Sequence, residues 1–489
     1  MDRGSTKPSR MNHSRDSSAE LEPGGIPLID FSRTPSPSPY HRQLQNAISD
    51  DEDDYIPATL RPLVADSGDH GTWWRREFAK GGIGGFLYGT WLGWQVYVGL
   101  LVIWSIGVQF ALVLMNRFIL WTGTYKFPYP LASTWIQLVL THIFLLITAS
   151  ITRAISQPLR KLGLSSIIAP SSPTSAQAGG SRAGAGLPRR ILVGIFNSSG
   201  GIAGGGFFEL EKRAIWTVTP LAVIYVGKVV LSNISYAYGA LPLYTLSRIA
   251  IVPFTLILTA TLTRASHSTS TLSSALIATL NLLGASIRKS ERMTWESIVA
   301  GVFSTIFASL YPILLSKVHR QLTIAQVQQG DMLTSLSPSQ VQPAHGSQNN
   351  HGTKESTRAY WQLLHYTSLL SILILSPLVL ISGEVPNILR NCYFLDVPWF
   401  WFLCVCGGLA SAAVFSTTLA LVRATSPLTV NFIGVPRAAV QLVILSGGRL
   451  PVHAWVGVAL CWLSSAWYLV TRREEGRRGE VRRMARAGR

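Results

Sequence analysis

Charged residues are scarce in this sequence, and their scarcity limits the class of protein it can be. Only 13% of the 489 residues are charged, whereas soluble domains carry about 25%. Most of the charges lie in a few polar segments, and long apolar runs separate those segments. The runs are continuous and do not alternate every second residue. They therefore exclude an ordinary soluble domain and also a membrane β-barrel.

Cysteine is scarce as well. The four cysteines, Cys392, Cys404, Cys406 and Cys461, lie in or beside apolar runs, without the spacing of a disulfide framework or a metal site. We expect them to act as small packing residues. The sequence thus indicates no metal site, no cofactor and no catalytic residue.

Apolar runs of about 20 residues, the length that crosses a bilayer as a helix, occur about ten times. They lie at 95–121, 131–154, 215–238, 242–263, 271–287, 296–316, 361–382, 398–422, 427–446 and 452–471. The sequence therefore predicts an all-α polytopic membrane protein with about ten transmembrane helices in the lipid bilayer.

Polar, low-complexity segments divide the chain. The expected order is a disordered tail (1–90), a first half with helices one to six (91–317), a disordered linker (318–358), a second half with helices seven to ten (359–473) and a basic tail (474–489). A low-complexity loop at 155–212 lies inside the first half. Weak similarities between the halves favour two inverted five-helix repeats, an arrangement common among transporters.

The net charge of +18 is concentrated beside the spans. Much of it lies in the C-terminal tail and in the loop from Arg153 to Arg213, and basic residues beside spans mark the cytosolic side. With an even number of spans, both termini are then expected in the cytosol. This placement argues against nucleic acid as a partner.

Three basic residues fall inside predicted spans. Arg437 is central in the ninth span, about 15 Å from either surface, where an arginine costs about 2.5–3.5 kcal/mol. Lys228 is central in the third span. Arg248 lies nearer the end of the fourth, where snorkelling explains it equally well. Burial against helix carbonyls is the structural alternative for Arg437.

Carboxylates are missing where these cations would need them. No Asp or Glu occurs between Ile215 and Ile287, nor inside the first, second, eighth, ninth and tenth spans. A bound anion would neutralise the cations instead, which favours a cavity for an organic phosphate. The same absence argues against coupling to protons or sodium ions.

Other polar residues in the spans complete the candidate binding set. Gly434 and Pro436, close to Asn431, could loosen the ninth helix and free backbone groups toward a cavity. Near the start of the seventh span, the run Tyr366-Thr367-Ser368 could bind a base or a sugar. The alternative for Gly434 and Pro436 is an ordinary helix kink. The alternative for residues 366–368 is packing at the membrane interface.

Four stretches give the chain a family resemblance: ALVLMNRFIL, VIYVGKVVLSN…LYTLSRIAIVPFT, SGEVPNIL and TSPLTVNFIGVPRAAVQ. With them, the sequence resembles the nucleotide-sugar and triose-phosphate transporters of the drug/metabolite transporter superfamily, and looks closest to the GDP-fucose transporters. The resemblance implies ten helices, a Golgi or endoplasmic reticulum membrane, and exchange of a cytosolic nucleotide sugar for a luminal nucleoside monophosphate. Asn116, in the first stretch, joins the candidate substrate-binding residues. A homodimer is compatible with the sequence.

The chain departs from its relatives in two places. The FYNN motif of GDP-sugar transporters falls on residues 365–368, where only Tyr366 matches, and Arg437 replaces a lysine. An exchanger of phosphorylated sugars or other organic anions therefore stays open. The spans contain no His–Asp, Ser–His or DxD arrangement, which argues against an intramembrane enzyme. A non-transporting scaffold is the remaining alternative.

Overall fold

The computed structural model describes residues 83–88, 91–120, 127–171, 200–206, 210–238, 248–264, 267–286, 295–335, 351–391, 397–446 and 450–487. Within these ranges the chain forms helices joined by turns, and no β-strand occurs there. The helices are labelled in chain order: α1 Trp91–Leu120, α2 Pro130–Ala154, α3 Ser156–Lys161, α4 Lys212–Tyr238, α5 Ile251–Leu262, α6 Thr269–Ser286, α7 Trp295–Ser335, α8 His351–Ile381, α9 Glu384–Asn391, α10 Pro398–Ala424, α11 Pro427–Phe432, α12 Gly434–Leu445 and α13 Val452–Ala487.

Eight helical segments of the described ranges are long and apolar enough to cross a membrane, with α11 and α12 counted as one. These segments confirm the all-α polytopic fold. The predicted fourth and fifth spans correspond to α5, which has 12 residues, and α6, which has 18 residues rich in serine and threonine. Neither is among the eight, so the count of ten stays a prediction.

Ordered structure extends into the segments predicted as linker, tail and low-complexity loop. The linker predicted at 318–358 is shorter, because α7 continues to Ser335 and α8 begins at His351. Gln326 of α7 donates to Gln362 of α8 at 2.7 Å, so this extension packs against its neighbour. The predicted basic tail continues α13 as far as Ala487. In the loop 155–212, Ala169 and Ile202 are buried in the core.

Two apolar cores organise the packing. The first core joins α1, α2, α4, α7, α8 and α10, and the second core joins α5, α6, α11, α12 and α13. The predicted halves 91–317 and 359–473 each contribute helices to both cores. They therefore interleave and do not pack as two separate bodies. The helix α7 contacts α4 in the first core and also α5 and α11 in the second, so it borders both.

Candidate functional site

The predicted ninth span is broken between α11 and α12, at Ile433. Pro436 has no N–H to offer the carbonyl of Phe432, so the helical hydrogen-bond ladder is interrupted at this point. The break changes the surroundings predicted for Arg437. This residue does not lie in the middle of a continuous helix but in the first turn of α12, and it is half-buried.

Gly434 opens that first turn beside the arginine. A Cβ atom at Gly434 would lie 3.9 Å from Nη2 of Arg437, so the guanidinium group folds back along the start of its own helix. The N-terminus of a helix presents unpaired N–H groups and a partial positive charge. Guanidinium and helix terminus together form a place where an anion is stabilised.

Lys228 lies on α4, in contact with aromatic rings. Its Nζ atom is 4.5 Å from the ring centroid of Tyr311 on α7 and 5.8 Å from that of Tyr225, one turn earlier on α4. The two tyrosine rings are 5.4 Å apart. Cation–π contacts of this kind stabilise an ammonium group without neutralising its charge.

Arg248 lies three positions before the first residue of α5, a helix of the second core, and its side chain contacts α4 of the first core. Its Nη2 atom donates to Oγ of Ser232 on α4 at 2.5 Å. Arg248 and Arg437 both lie close enough to Lys228 to repel its ammonium group. We call Lys228, Arg248 and Arg437 the cation cluster. Lys228 lies on α4 of the first core, Arg248 is bonded to the same helix through Ser232, and Arg437 lies on α12 of the second core.

The described spans offer this cluster no carboxylate. Their acidic residues lie only at the helix ends, as Glu355 and Glu475 do. Any carboxylate that pairs with these half-buried cations would have to come from outside the interiors of these helices.

Asn116 belongs to a different group, an amide network inside the first core. Its Nδ2 atom donates to Oδ1 of Asn233 on α4 at 3.1 Å, and its Oδ1 atom accepts from Gln137 on α2 at 3.2 Å. Asn233 in turn donates to Thr134 at 2.7 Å. The network ties α1, α2 and α4 together.

Asn431 links three helices of the second core and its border. Its Nδ2 atom donates to Oγ1 of Thr255 on α5 at 2.7 Å and to the carbonyl oxygen of Ser309 on α7 at 3.3 Å. Both donor hydrogens are thus directed at neighbouring helices, and the bonds hold α11 in place after the turn at Thr425.

The run Tyr366-Thr367-Ser368 is buried in the first core, with relative exposures of 0%, 0% and 2%. The hydroxyl of Tyr366 accepts from the backbone N–H of Glu211 at 2.8 Å. Ser368 lies 2.8 Å from Nδ1 of His142 on α2. Glu211 precedes the first residue of α4, and Lys228 follows it by 17 residues, about 25 Å along a helix. The structure therefore does not bring the Tyr366 hydroxyl to the cation cluster.

Sequence reasoning missed the two tyrosines that hold Lys228. Tyr225 could have been found, because a residue three positions before another shares its helix face. Tyr311 lies on a separate helix, 83 positions away in the chain, and no local pattern connects it to Lys228.

Comparison with known proteins gives GDP-fucose transporters as relatives. No protein-family model matches the chain. GDP-fucose transporter 1 of Dictyostelium discoideum is 23% identical over 368 residues, which cover 75% of this chain and 78% of that protein. The Golgi GDP-fucose transporter of Drosophila melanogaster is 25% identical over 255 residues, 52% of this chain and 64% of that protein. GDP-fucose transporter 1 of Mus musculus is 23% identical over 236 residues, 48% of this chain and 56% of that protein.

A solved structure, titled only as the crystal structure of a protein, covers 78% of this chain and 99% of its own with 14% identity. Its TM-score of 0.42 is too low for any conclusion to rest on it.

The helical spans and these relatives define a multi-pass membrane transporter, a class distinct from enzymes. The chain is similar to the GDP-fucose transporters among the nucleotide-sugar transporters, at 23–25% identity. The family resemblance of the span motifs is thereby confirmed.

Proposed function

We propose that the protein is a nucleotide-sugar antiporter that exchanges a cytosolic GDP-sugar, such as GDP-fucose or GDP-mannose, for a luminal nucleoside monophosphate. The names of its relatives support a GDP-sugar as the substrate class. The cation cluster is the single observation that supports the site: the charges of Arg248 and Arg437 both act on Lys228, and the interiors of the described spans contain no carboxylate.

The chemistry of the cluster suits a diphosphate. Each arginine presents a planar fork of N–H donors that matches phosphate oxygens, and Lys228 adds a point charge. The backbone N–H groups at the start of α12 favour the same ligand. A diphosphate bound there would bring negative charge to a part of the described spans that contains no carboxylate.

Two cores that share one site provide a means of alternating access. Lys228 moves with the first core, while Arg437 moves with the second. Rocking one core against the other around a bound anion would open the site to each side in turn. If the site were empty during this movement, like charges would face one another in a low dielectric and raise the energy of the moving state. The return of an empty transporter would then be slow, which favours exchange.

We further propose that the protein resides in the Golgi membrane with both termini in the cytosol; the endoplasmic reticulum is the alternative compartment. The name of the Drosophila relative supports the Golgi, and the basic segments beside α4 and α13 support the orientation. Protease added to sealed microsomes should remove a C-terminal tag. Protection of that tag would contradict the orientation.

The substrate class is tested by uptake into proteoliposomes. Purified protein is reconstituted in vesicles preloaded with GMP, UMP or inorganic phosphate and is offered a panel of labelled nucleotide sugars and phosphorylated sugars. GMP-loaded vesicles should accumulate GDP-sugars in preference to UDP-sugars. Preferential exchange of phosphorylated sugars for inorganic phosphate would establish the alternative, an organic-anion exchanger of the triose-phosphate type.

A further inference from the structure

The side chain of Tyr311 on α7 ends in a hydroxyl group whose burial the packing of the described helices does not explain. Tyr311 is 1% exposed, and its hydroxyl oxygen is buried without a hydrogen-bond partner in the described part of the chain. Native folds rarely bury a hydroxyl group in this way, because its lost hydrogen bonds to water are not replaced. A bound ligand or an internal water would each replace them.

This hydroxyl group lies beside the cation cluster. The Nζ atom of Lys228 is 4.5 Å from the centre of the Tyr311 ring, and the hydroxyl oxygen projects from that same ring. Arg248 and Arg437 lie close enough to Lys228 to repel its ammonium group. An anion that binds Lys228 therefore comes near a hydroxyl group that can donate one hydrogen bond.

Tyr225 on α4 provides a contrast within the same group of side chains. Its ring centre is 5.8 Å from Nζ of Lys228 and 5.4 Å from the ring centre of Tyr311. The Tyr225 hydroxyl, however, is hydrogen-bonded to the side chain of Ser411 on α10. Both rings thus contact the ammonium group, but the hydroxyl of Tyr225 ties two helices together and that of Tyr311 does not.

We propose that Tyr311 is a ligand-binding residue of the cation cluster, and that its hydroxyl group donates to an oxygen atom of the phosphate or diphosphate bound by Lys228. The inference rests on the proposed anion site and adds a neutral donor to it. A neutral donor suits this position, because a further positive charge would add to the repulsion that Lys228 already experiences. Its hydrogen bond is strong, since the acceptor is a charged oxygen.

The ring and the hydroxyl group of Tyr311 then act in different states of the site. Without an anion, the ring holds the ammonium group of Lys228 by a cation–π contact. With an anion bound, the hydroxyl group contacts the ligand directly. Because α7 also contacts α5 and α11 of the second core, a ligand bound by Tyr311 acts on the helix that borders both cores.

The test measures binding of inorganic pyrophosphate, a diphosphate without base or sugar, to the purified full-length protein. Tyr311→Phe keeps the ring and removes only the hydroxyl group. It should weaken pyrophosphate binding roughly ten- to a hundredfold, because a hydrogen bond to a charged group is lost. The melting temperature of the ligand-free variant should be unchanged or higher, since a buried polar group without a partner has been removed.

Tyr225→Phe is the matched control, because it also keeps a ring against Lys228 and removes a hydroxyl group. Loss of the bond to Ser411 should lower the melting temperature of the ligand-free protein and leave the affinity for pyrophosphate unchanged. Arg437→Ala should weaken pyrophosphate binding, which places the probe at the cation cluster rather than elsewhere on the protein.

Unchanged pyrophosphate affinity in Tyr311→Phe would overturn the proposal, and would show that the hydroxyl group binds only an internal water. An equal loss of affinity in the two tyrosine variants would also overturn it, because the effect would then be structural. If the parent protein does not bind pyrophosphate, the anion site itself is refuted. A protein that binds pyrophosphate through Tyr311 but transports no GDP-sugar would refute the transport function alone.

Discussion

At the residue scale, the proposed anion site depends on the positive charges of Lys228, Arg248 and Arg437. A positive charge in a low-dielectric interior is costly, and the interiors of the described spans contain no carboxylate. A bound anion converts the same arrangement into a set of charge-assisted hydrogen bonds. We therefore expect an anionic ligand to stabilise the cluster.

Arg437→Ala should lower the affinity for a GDP-sugar while the protein still folds and inserts. Loss of one charge-assisted contact costs about 1.5–3 kcal/mol, roughly ten- to a hundredfold in affinity, whereas removal of a membrane cation relieves an insertion cost. Arg437→Lys should keep part of the affinity, because the charge remains and the planar fork is lost. Ligand-induced thermal stabilisation of the purified variants measures both effects.

Arg390→Ala is the matched control, because it removes an exposed positive charge on α9, outside the spans. It should bind the nucleotide sugar as the parent protein does. If Arg437→Ala instead misfolds, or if the folded variant gains full stabilisation from the ligand, the guanidinium group does not hold the phosphates.

Asn431→Ala should lower stability and leave ligand affinity nearly unchanged, because the amide already donates to Thr255 and Ser309. Hydrogen bonds between membrane helices contribute about 0.6–1.7 kcal/mol. Thermal unfolding should report this loss, and the double variant with Thr255→Val should be non-additive. The exposed Asn387→Ala on α9 serves as the control. Unchanged stability combined with lost binding would instead show Asn431 to be a substrate ligand.

At the scale of helices, a glycine allows α6 and α13 of the second core to pack closely against each other. A Cβ atom at Gly457 of α13 would lie 2.9 Å from Cβ of Ala285 and 3.0 Å from the carbonyl oxygen of Asn281, both on α6. The two helices therefore approach too closely for any side chain at that position. This contact explains how α6 is held in place although its serines and threonines make it a weak span by composition.

Gly457→Ala should destabilise the protein by about 1–3 kcal/mol, the usual cost of overpacking a well-packed interface. Gly284→Ala, on α6, is the paired control, because its new Cβ atom would meet nothing within 4 Å. That change should be neutral or stabilise by up to about 1 kcal/mol, since alanine favours a helix over glycine. Melting temperatures of the two variants in one detergent test the difference. Equal melting temperatures would show that α6 and α13 are not tightly packed.

The positions of the helices were predictable, because a run of about 20 apolar residues crosses a bilayer as a helix. Every predicted span overlaps a described helix. The break at Ile433 was also foreseeable from Gly434 and Pro436. By contrast, the helical extension of α7 to Ser335 depends on packing against α8, and such tertiary contacts leave no periodic signal in a polar segment.

The candidate site was predictable only in its charges. Composition identified Lys228, Arg248 and Arg437 as cations in spans without acids, and in the structure both arginines are close enough to act electrostatically on Lys228. The hydrogen-bond partners of Asn116, Asn431 and Ser368 lie on other helices and depend on three-dimensional packing. Sequence spacing therefore could not distinguish a side chain that faces a cavity from one that ties two helices together.

At the scale of the whole molecule, two interleaved cores share a cation cluster at their junction. Each core takes helices from both halves of the sequence, and α7 borders both. Movement of one core against the other would then change access to the cluster without dismantling either core. We therefore expect this movement to be fast with an anion bound and slow without one.

Exchange across a vesicle membrane measures that prediction most directly. Labelled GDP-sugar is offered to proteoliposomes that contain GMP, and to empty proteoliposomes subjected to a pH jump. We expect rapid uptake into the GMP-loaded vesicles, at a rate independent of the pH gradient, and only slow uptake into the empty ones. Robust accumulation in empty, pH-jumped vesicles would contradict it, because the cluster would then cross without an anion and the driving force would be protons.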